Sequence, residues 1–265
     1  MDMKALELLA PRAGLRVLIT GGASGIGLAI AKAFLSTGAR VHVCDIDGKA
    51  IDTLSTATPG ITGTRANVAD QADVARVFDD VDRELGGLDV LINNAGIAGP
   101  TGGIDEIEAS DWEKTVDINL NSHFQFTRRA VPKLRQAADG GVIVFISSVA
   151  GRLGYGFRTP YSATKWAVVG LAKSLAIELG PDNIRVNAVQ PGIVKGPRME
   201  GVIAARAKQL GISYEDMEAR YLEKISLRRM VTQEEVAASV LFLASPAGSA
   251  ISGQALSVCG NVETL

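Results

Sequence analysis

Seven short apolar runs separated by longer helical patterns constrain this chain more than any other feature. The runs fall at residues 17–20, 41–45, 62–67, 90–93, 142–147, 184–190 and 255–258. Each is nearly continuous in apolar character rather than alternating, as a strand reads when both faces of its sheet are covered. Between them, residues 26–37, 71–85, 112–137, 161–179 and 234–244 carry apolar side chains at helical spacing. Strand then helix, repeated, implies parallel strands joined by crossovers. The expected architecture is α/β, with a doubly wound seven-stranded parallel sheet, and 265 residues with 47% hydrophobic content suffice for a single domain around it. Two stretches break the rhythm, residues 95–110 and the charge-rich 193–227. The second is expected to be an insertion beyond the carboxyl end of the sixth strand, placed as a lid because open α/β sheets bind their ligands at that edge.

Composition removes several functional classes. A formal charge of -2 offers no basic field for nucleic acid. No apolar run is long enough to span a bilayer, and MDMKALELLAPRAGLR at the N-terminus lacks the uninterrupted apolar stretch of a signal peptide, so a soluble, cytoplasmic protein without membrane partners is expected. Cys44 and Cys259 are the only cysteines, too few for a disulfide framework or a four-sulfur metal site, and Cys44 reads as a buried strand residue. With His42 and His123 the only histidines, a histidine-built zinc site or a Ser-His-Asp triad has almost no material, so no metal is expected.

Directly after the first strand comes TGGASGIG, residues 20–27, opening a helix. Glycines at 21, 25 and 27 permit a tight turn, close approach of a pyrophosphate to the backbone, and close helix packing, while the helix N-terminus offers N–H groups to phosphate. Gly21, Ser24, Gly25, Ile26 and Gly27 are the expected cradle, and they mark the sheet as a Rossmann fold. The second strand ends in Asp45, about twenty residues beyond the glycines, where a carboxylate accepts hydrogen bonds from the adenosine ribose 2′-hydroxyl. That carboxylate repels a 2′-phosphate, and no Arg or Lys within TGGASGIG attracts one, so NAD is expected over NADP.

The second constellation is TPYSATKW, residues 159–166, which sets Tyr161 and Lys165 four apart on one face of a helix. A phenol is a poor base at neutral pH, and a neighbouring ammonium stabilises its phenolate form. FISSVAG, residues 145–151, puts Ser148 at the carboxyl end of the fifth strand, where its hydroxyl can donate to the oxygen that Tyr161 protonates or deprotonates. Ser147 reads instead as a strand-end cap.

Taken in order, these motifs resemble the short-chain dehydrogenase/reductase family over essentially the whole chain. NNAG at residues 93–96 resembles the family's fourth-strand motif, and DINLNSHF, residues 117–124, the helix carrying its asparagine, here Asn119. The resemblance implies that Tyr161 is the general acid/base, that Lys165 holds the nicotinamide ribose, that Ser148 orients the reacting oxygen, and that Asn119 organises a proton-relaying water. It further implies that Asn67 and Val68 flank the adenine, that Asn94 lines the adenosine ribose, and that Val194, within PGIVKG, bonds the carboxamide. It also implies a homotetramer, for which Trp112, Phe124, Phe126 and Trp166 are available. The sequence departs from the family at Asn67, where aspartate is frequent, at Gly196, where threonine is usual, and at Cys259 and Asn261 near the tail.

The substrate is expected to be a small molecule with a secondary alcohol or ketone. Arg152 and Arg158 lie between Ser148 and Tyr161, and Lys195 and Arg198 begin the expected lid; those that point inward would suit a polar or anionic substrate such as a hydroxy acid or sugar derivative. Two competing functions stand beside this one: an NADPH-dependent 3-oxoacyl-type reductase, and a dinucleotide-binding regulator without turnover.

Overall fold

The computed structural model describes residues 7–263, apart from the side chains of residues 198, 205 and 209. Strands β1 (Arg16–Thr20), β2 (Arg40–Asp45), β3 (Ile61–Arg65), β4 (Val90–Asn93), β5 (Gly141–Ile146), β6 (Ile184–Pro191) and β7 (Ala255–Val258) form one sheet in the order β3-β2-β1-β4-β5-β6-β7. Every pair is parallel. The chain runs outward from β1 in one direction, then returns to continue from β4 in the other, and this reversal opens a crevice at the carboxyl ends of β1 and β4.

Burial on both faces accounts for the apolar strands. Val17 and Ile19 of β1 face one core with α1 (Gly25–Ser36) and α9 (Gln233–Ala244), where Ile30, Phe34, Val236 and Val240 are fully buried. Leu18, between them, faces a second core made with α3 (Gln71–Leu85), α5 (Ser122–Leu134) and α6 (Thr159–Leu179). Helix starts follow local chemistry. The Asp70 carboxylate accepts from the amides of Ala72 and Asp73 at the start of α3, and Thr232 and Glu235 form a reciprocal capping box on α9.

Four segments differ from the sequence reading. A helix α2 (Gly48–Ala57) joins β2 to β3; only Ile51 and Leu54 of it are buried, which makes its periodicity faint. The span 112–137, read as one helix, is α4 (Ala109–Val116), a π-turn (Asp117–Asn121) and α5. Within that turn the Ser122 amide donates five residues back to the Asp117 carbonyl, so one extra residue is accommodated, a device common at functional sites. The charge-rich stretch 193–227 holds two helices, α7 (Pro197–Leu210) and α8 (Tyr214–Glu223), which pack on each other through Ile203, Ala207 and Met217 apart from the two main cores. Strand β3 also stops short, at Arg65 rather than residue 67.

Candidate active site

The crevice at the strand ends is a cleft of about 810 Å³. Its inner end begins at the glycine turn. Gly27 is forced by packing: a Cβ there would lie 2.1 Å from the Gly21 carbonyl oxygen and 2.6 Å from Asn94 Nδ2. Asn94 secures the same turn, its Nδ2 donating to the carbonyls of Thr20 and Gly21 at 2.9 Å each. The Thr20 hydroxyl accepts from the amides of Asn94 and Ala95 at 3.0 Å each, so the ends of β1 and β4 are clasped from both sides. Ser24, the N-cap of α1, makes no capping bond with its side chain. The first turn of the helix therefore keeps its N-terminal dipole for an anion in the cleft. At the tip of β2, the Asp45 carboxylate accepts from the Ala23 amide at 3.1 Å, which fixes it against the glycine turn. Asn67 and Val68 follow β3 on the same wall. A helix N-terminus and a carboxylate, groups suited to a dinucleotide's phosphates and ribose, thus line the cleft together.

At the other end, Tyr161 stands in the first turn of α6, just after Pro160, whose missing N–H does no harm in a helix's first turn. Lys165 is 4% exposed, its Nζ donates to the Ile146 carbonyl at 2.9 Å, and it lies 5.7 Å from the centre of the Tyr161 ring. Ser148 accepts from the Ala150 amide and lines the cleft beside Tyr161. The helix is drawn tight against this loop. Ser147 donates to the Lys165 carbonyl at 2.8 Å and Ser162 to the Ala150 carbonyl at 2.9 Å, while a Cβ on Gly151 would come within 2.6 Å of the Lys165 carbonyl oxygen. Asn119 lies beneath the cleft, fully buried on the π-turn. Its side chain accepts from the Ile97 amide and donates to the Ile97 carbonyl, with a longer bond to Thr164 of α6. The asparagine side chain therefore braces the segment after β4. Nearby, burial and then the charge of Lys165 push the His123 imidazole down to about 3, although its bond to the Ala95 carbonyl opposes them.

All the residues expected to bind the dinucleotide, Gly21, Ser24, Gly25, Ile26, Gly27, Asp45, Asn67, Val68, Asn94, Tyr161, Lys165 and Val194, line this one cleft. Of the cations expected around the substrate, Arg158 and Lys195 line it and Arg152 does not. Arg152 turns away to the tail, close to the Val262 carbonyl and 3.7 Å from the Glu263 carboxylate, because an unpaired guanidinium finds better acceptors there. The side chain of Arg198 lies outside the described residues. Tyr155, Met199, Val202, Tyr221 and Lys224 also line the cleft. No sequence motif singles them out: Met199 and Val202 come from α7, Tyr221 and Lys224 from the end of α8, and Tyr155 from the loop before α6, and only the fold brings these segments together.

A glycine turn, a carboxylate and a Tyr-Lys pair along one Rossmann crevice define the class of dinucleotide-linked oxidoreductases. Comparison with known proteins narrows this. A family profile described as enoyl-(acyl carrier protein) reductase matches residues 21–261. The chain is similar to galactitol 2-dehydrogenase of Agrobacterium fabrum, 36% identical over 92% of this chain and 95% of that one. It is equally similar to a 3-oxoacyl-[acyl-carrier-protein] reductase of Thermotoga maritima, 36% identical over 92% of this chain and 96% of that one. Among solved structures it resembles 7α-hydroxysteroid dehydrogenase complexed with NADH and 7-oxo glycochenodeoxycholic acid, with a TM-score of 0.87 and 29% identity over 97% of each chain. The chain belongs to the short-chain dehydrogenase/reductase family.

Proposed function

We propose that this protein is an NAD-dependent dehydrogenase or reductase that moves a hydride between a polar secondary alcohol, or the corresponding ketone, and the nicotinamide ring. The observation carrying the proposal is that Ser148, Tyr161 and Lys165 close one end of a cleft whose other end is the glycine turn and Asp45. A bound nicotinamide dinucleotide supplies hydride acceptance or donation. In the oxidative direction the carbinol proton passes to the Tyr161 oxygen as the carbinol C–H bond breaks and the C=O bond forms; in the reductive direction the phenol returns it. Lys165 places a cation beside the phenolate and stabilises it, and Ser148 donates a hydrogen bond to the reacting oxygen. Asn119 holds the segment along which a water relays the proton to solvent. Asp45 favours NAD, since it receives a ribose hydroxyl and repels a 2′-phosphate.

Similarity to the 3-oxoacyl reductase at the same 36% identity favours a second reading, an NADPH-dependent reductase of a carrier-bound ketone. Rates with NAD and NADP separate the two. A regulator without turnover would be marked by loss of Tyr161, Lys165 or Ser148, and all three are in place. Residues 193–227 act as a lid in this proposal, and the protein works as a cytoplasmic homotetramer of single-domain subunits. The exposed Trp112, Phe124 and Trp166 support the assembly, whereas Phe126 packs in the core against Phe78. Among the described residues no helix is long and apolar enough to cross a membrane.

The test is Tyr161→Phe, with NADH absorbance followed over a panel of secondary alcohols and ketones. Turnover is expected to disappear while NAD affinity remains, because only proton transfer is removed. Substantial residual turnover would defeat the assignment.

A further inference from the structure

We propose that Arg158 is the anchor for a carboxylate on the substrate, so that the physiological alcohol is a hydroxy acid. The proposal rests on the hydride-transfer reading of the same cleft and names the substrate class for it. Arg158 lies at the mouth of the catalytic end. Its guanidinium carbon is 5.4 Å from the centre of the Tyr161 ring and 5.3 Å from that of Tyr155, so two aromatic faces hold the fork in one orientation. A third restraint is the bond from Nη2 to the Ala98 carbonyl at 2.8 Å. That bond uses one of five guanidinium donors, and the buried Nε has no partner.

Among the described residues no carboxylate pairs with Arg158, and the one acidic residue lining the cleft, Asp45, belongs to its adenosine end. A partly buried cation held rigid and left short of an anion is a poor structural element and a good binding one. Lys195 and Lys224, both exposed, add positive charge to the cleft lining. Closeness to Tyr161 places the carboxylate near the carbinol carbon, and Tyr155 and Arg158 together select a planar anion over a neutral ester.

Initial rates with NAD are measured for the isomeric hydroxybutyrates and for their methyl esters, on the wild type, Arg158→Gln and Arg158→Lys. The ratio of kcat/KM for acid over ester is read within each protein, so losses of folded enzyme cancel. The acid is expected to win in the wild type, the ratio to fall roughly tenfold to hundredfold in Arg158→Gln, and part of it to return in Arg158→Lys. A wild-type preference for the esters, or a ratio untouched by Arg158→Gln, overturns the anchor while leaving hydride transfer intact. If neither acids nor esters react, the hydride-transfer reading is judged by the wider panel of alcohols and ketones, apart from the anchor. The anchor is then judged by calorimetric titration of butyrate in the presence of NADH: binding that weakens in Arg158→Gln supports it, and equal binding overturns it.

Discussion

Thr20→Val probes the clasp on which the cleft depends. Valine matches threonine in shape but lacks the oxygen, and Thr20 is 1% exposed, so water has no route to replace it. The Thr20 hydroxyl accepts two amides, those of Asn94 and Ala95. An unsatisfied buried donor costs about 1–3 kcal/mol. Ala95 is buried and carries the full penalty; Asn94 is half-buried, and its amide recovers part of the loss from solvent. The sum is about 2–4 kcal/mol after a small gain from burying the added methyl. That is a large share of a typical domain's stability of about 5–15 kcal/mol. Equilibrium urea unfolding at fixed protein concentration reads it as a lowered midpoint with an unchanged slope. Cofactor affinity should fall less than stability, because the Asn94 side chain still holds the carbonyls of Thr20 and Gly21. A loss below about 0.5 kcal/mol would show that the two amides find other partners, and the clasp would then be incidental.

Gly27→Ala drives a methyl into the Gly21 carbonyl, so a loss of about 1–3 kcal/mol or more and a sharp drop in NADH binding by fluorescence titration are expected. In Asp45→Ala the preference for NAD over NADP in kcat/KM should fall roughly tenfold to hundredfold, and an unchanged ratio refutes the carboxylate's role. Burial holds two histidines neutral in the fold, His42 at about 4 and His123 at about 3, against about 6.5 in the unfolded chain. Below about pH 6.5 the unfolded state therefore takes up protons the fold refuses, and each histidine removes about 1.4 kcal/mol per pH unit until its folded value is reached. Stability should be complete above pH 7 and decline toward pH 4; His42→Gln should flatten that decline, and urea midpoints at pH 7 and pH 5 check it.

How legible the chain was depended on whether a property is local. The central strands could be read because they are buried on both faces, and Val17, Leu18 and Ile19 show the consequence, alternating between two cores with no polar residue among them; the edge strands β3 and β7 are only partly covered. The candidate catalytic residues could be read because Tyr161 and Lys165 share one helix and Ser148 follows the end of β5 by two residues. The π-turn at Asn119 was hidden, since a single accommodated residue leaves helical periodicity almost unchanged. Helices α7 and α8 were hidden because charges along them outnumber the few apolar residues they bury between them. Arg152 and Arg158 were indistinguishable as letters six apart in one loop. Which one enters the cleft depends on acceptors supplied by Val262 and Ala98, over 100 and 60 residues away in sequence respectively.

The amino-acid order alone determined the sheet, the glycine turn, the acidic tip of β2 and the tyrosine paired with a lysine, because each arises from neighbours within one strand, turn or helix. Tertiary packing alone decided which loop arginine lines the cleft, what Asn119 braces, and which side chains of α7 and α8 join the cleft wall. Those outcomes are competitions among partners distant along the chain, and only the folded geometry sets the distances over which charges and hydrogen bonds choose.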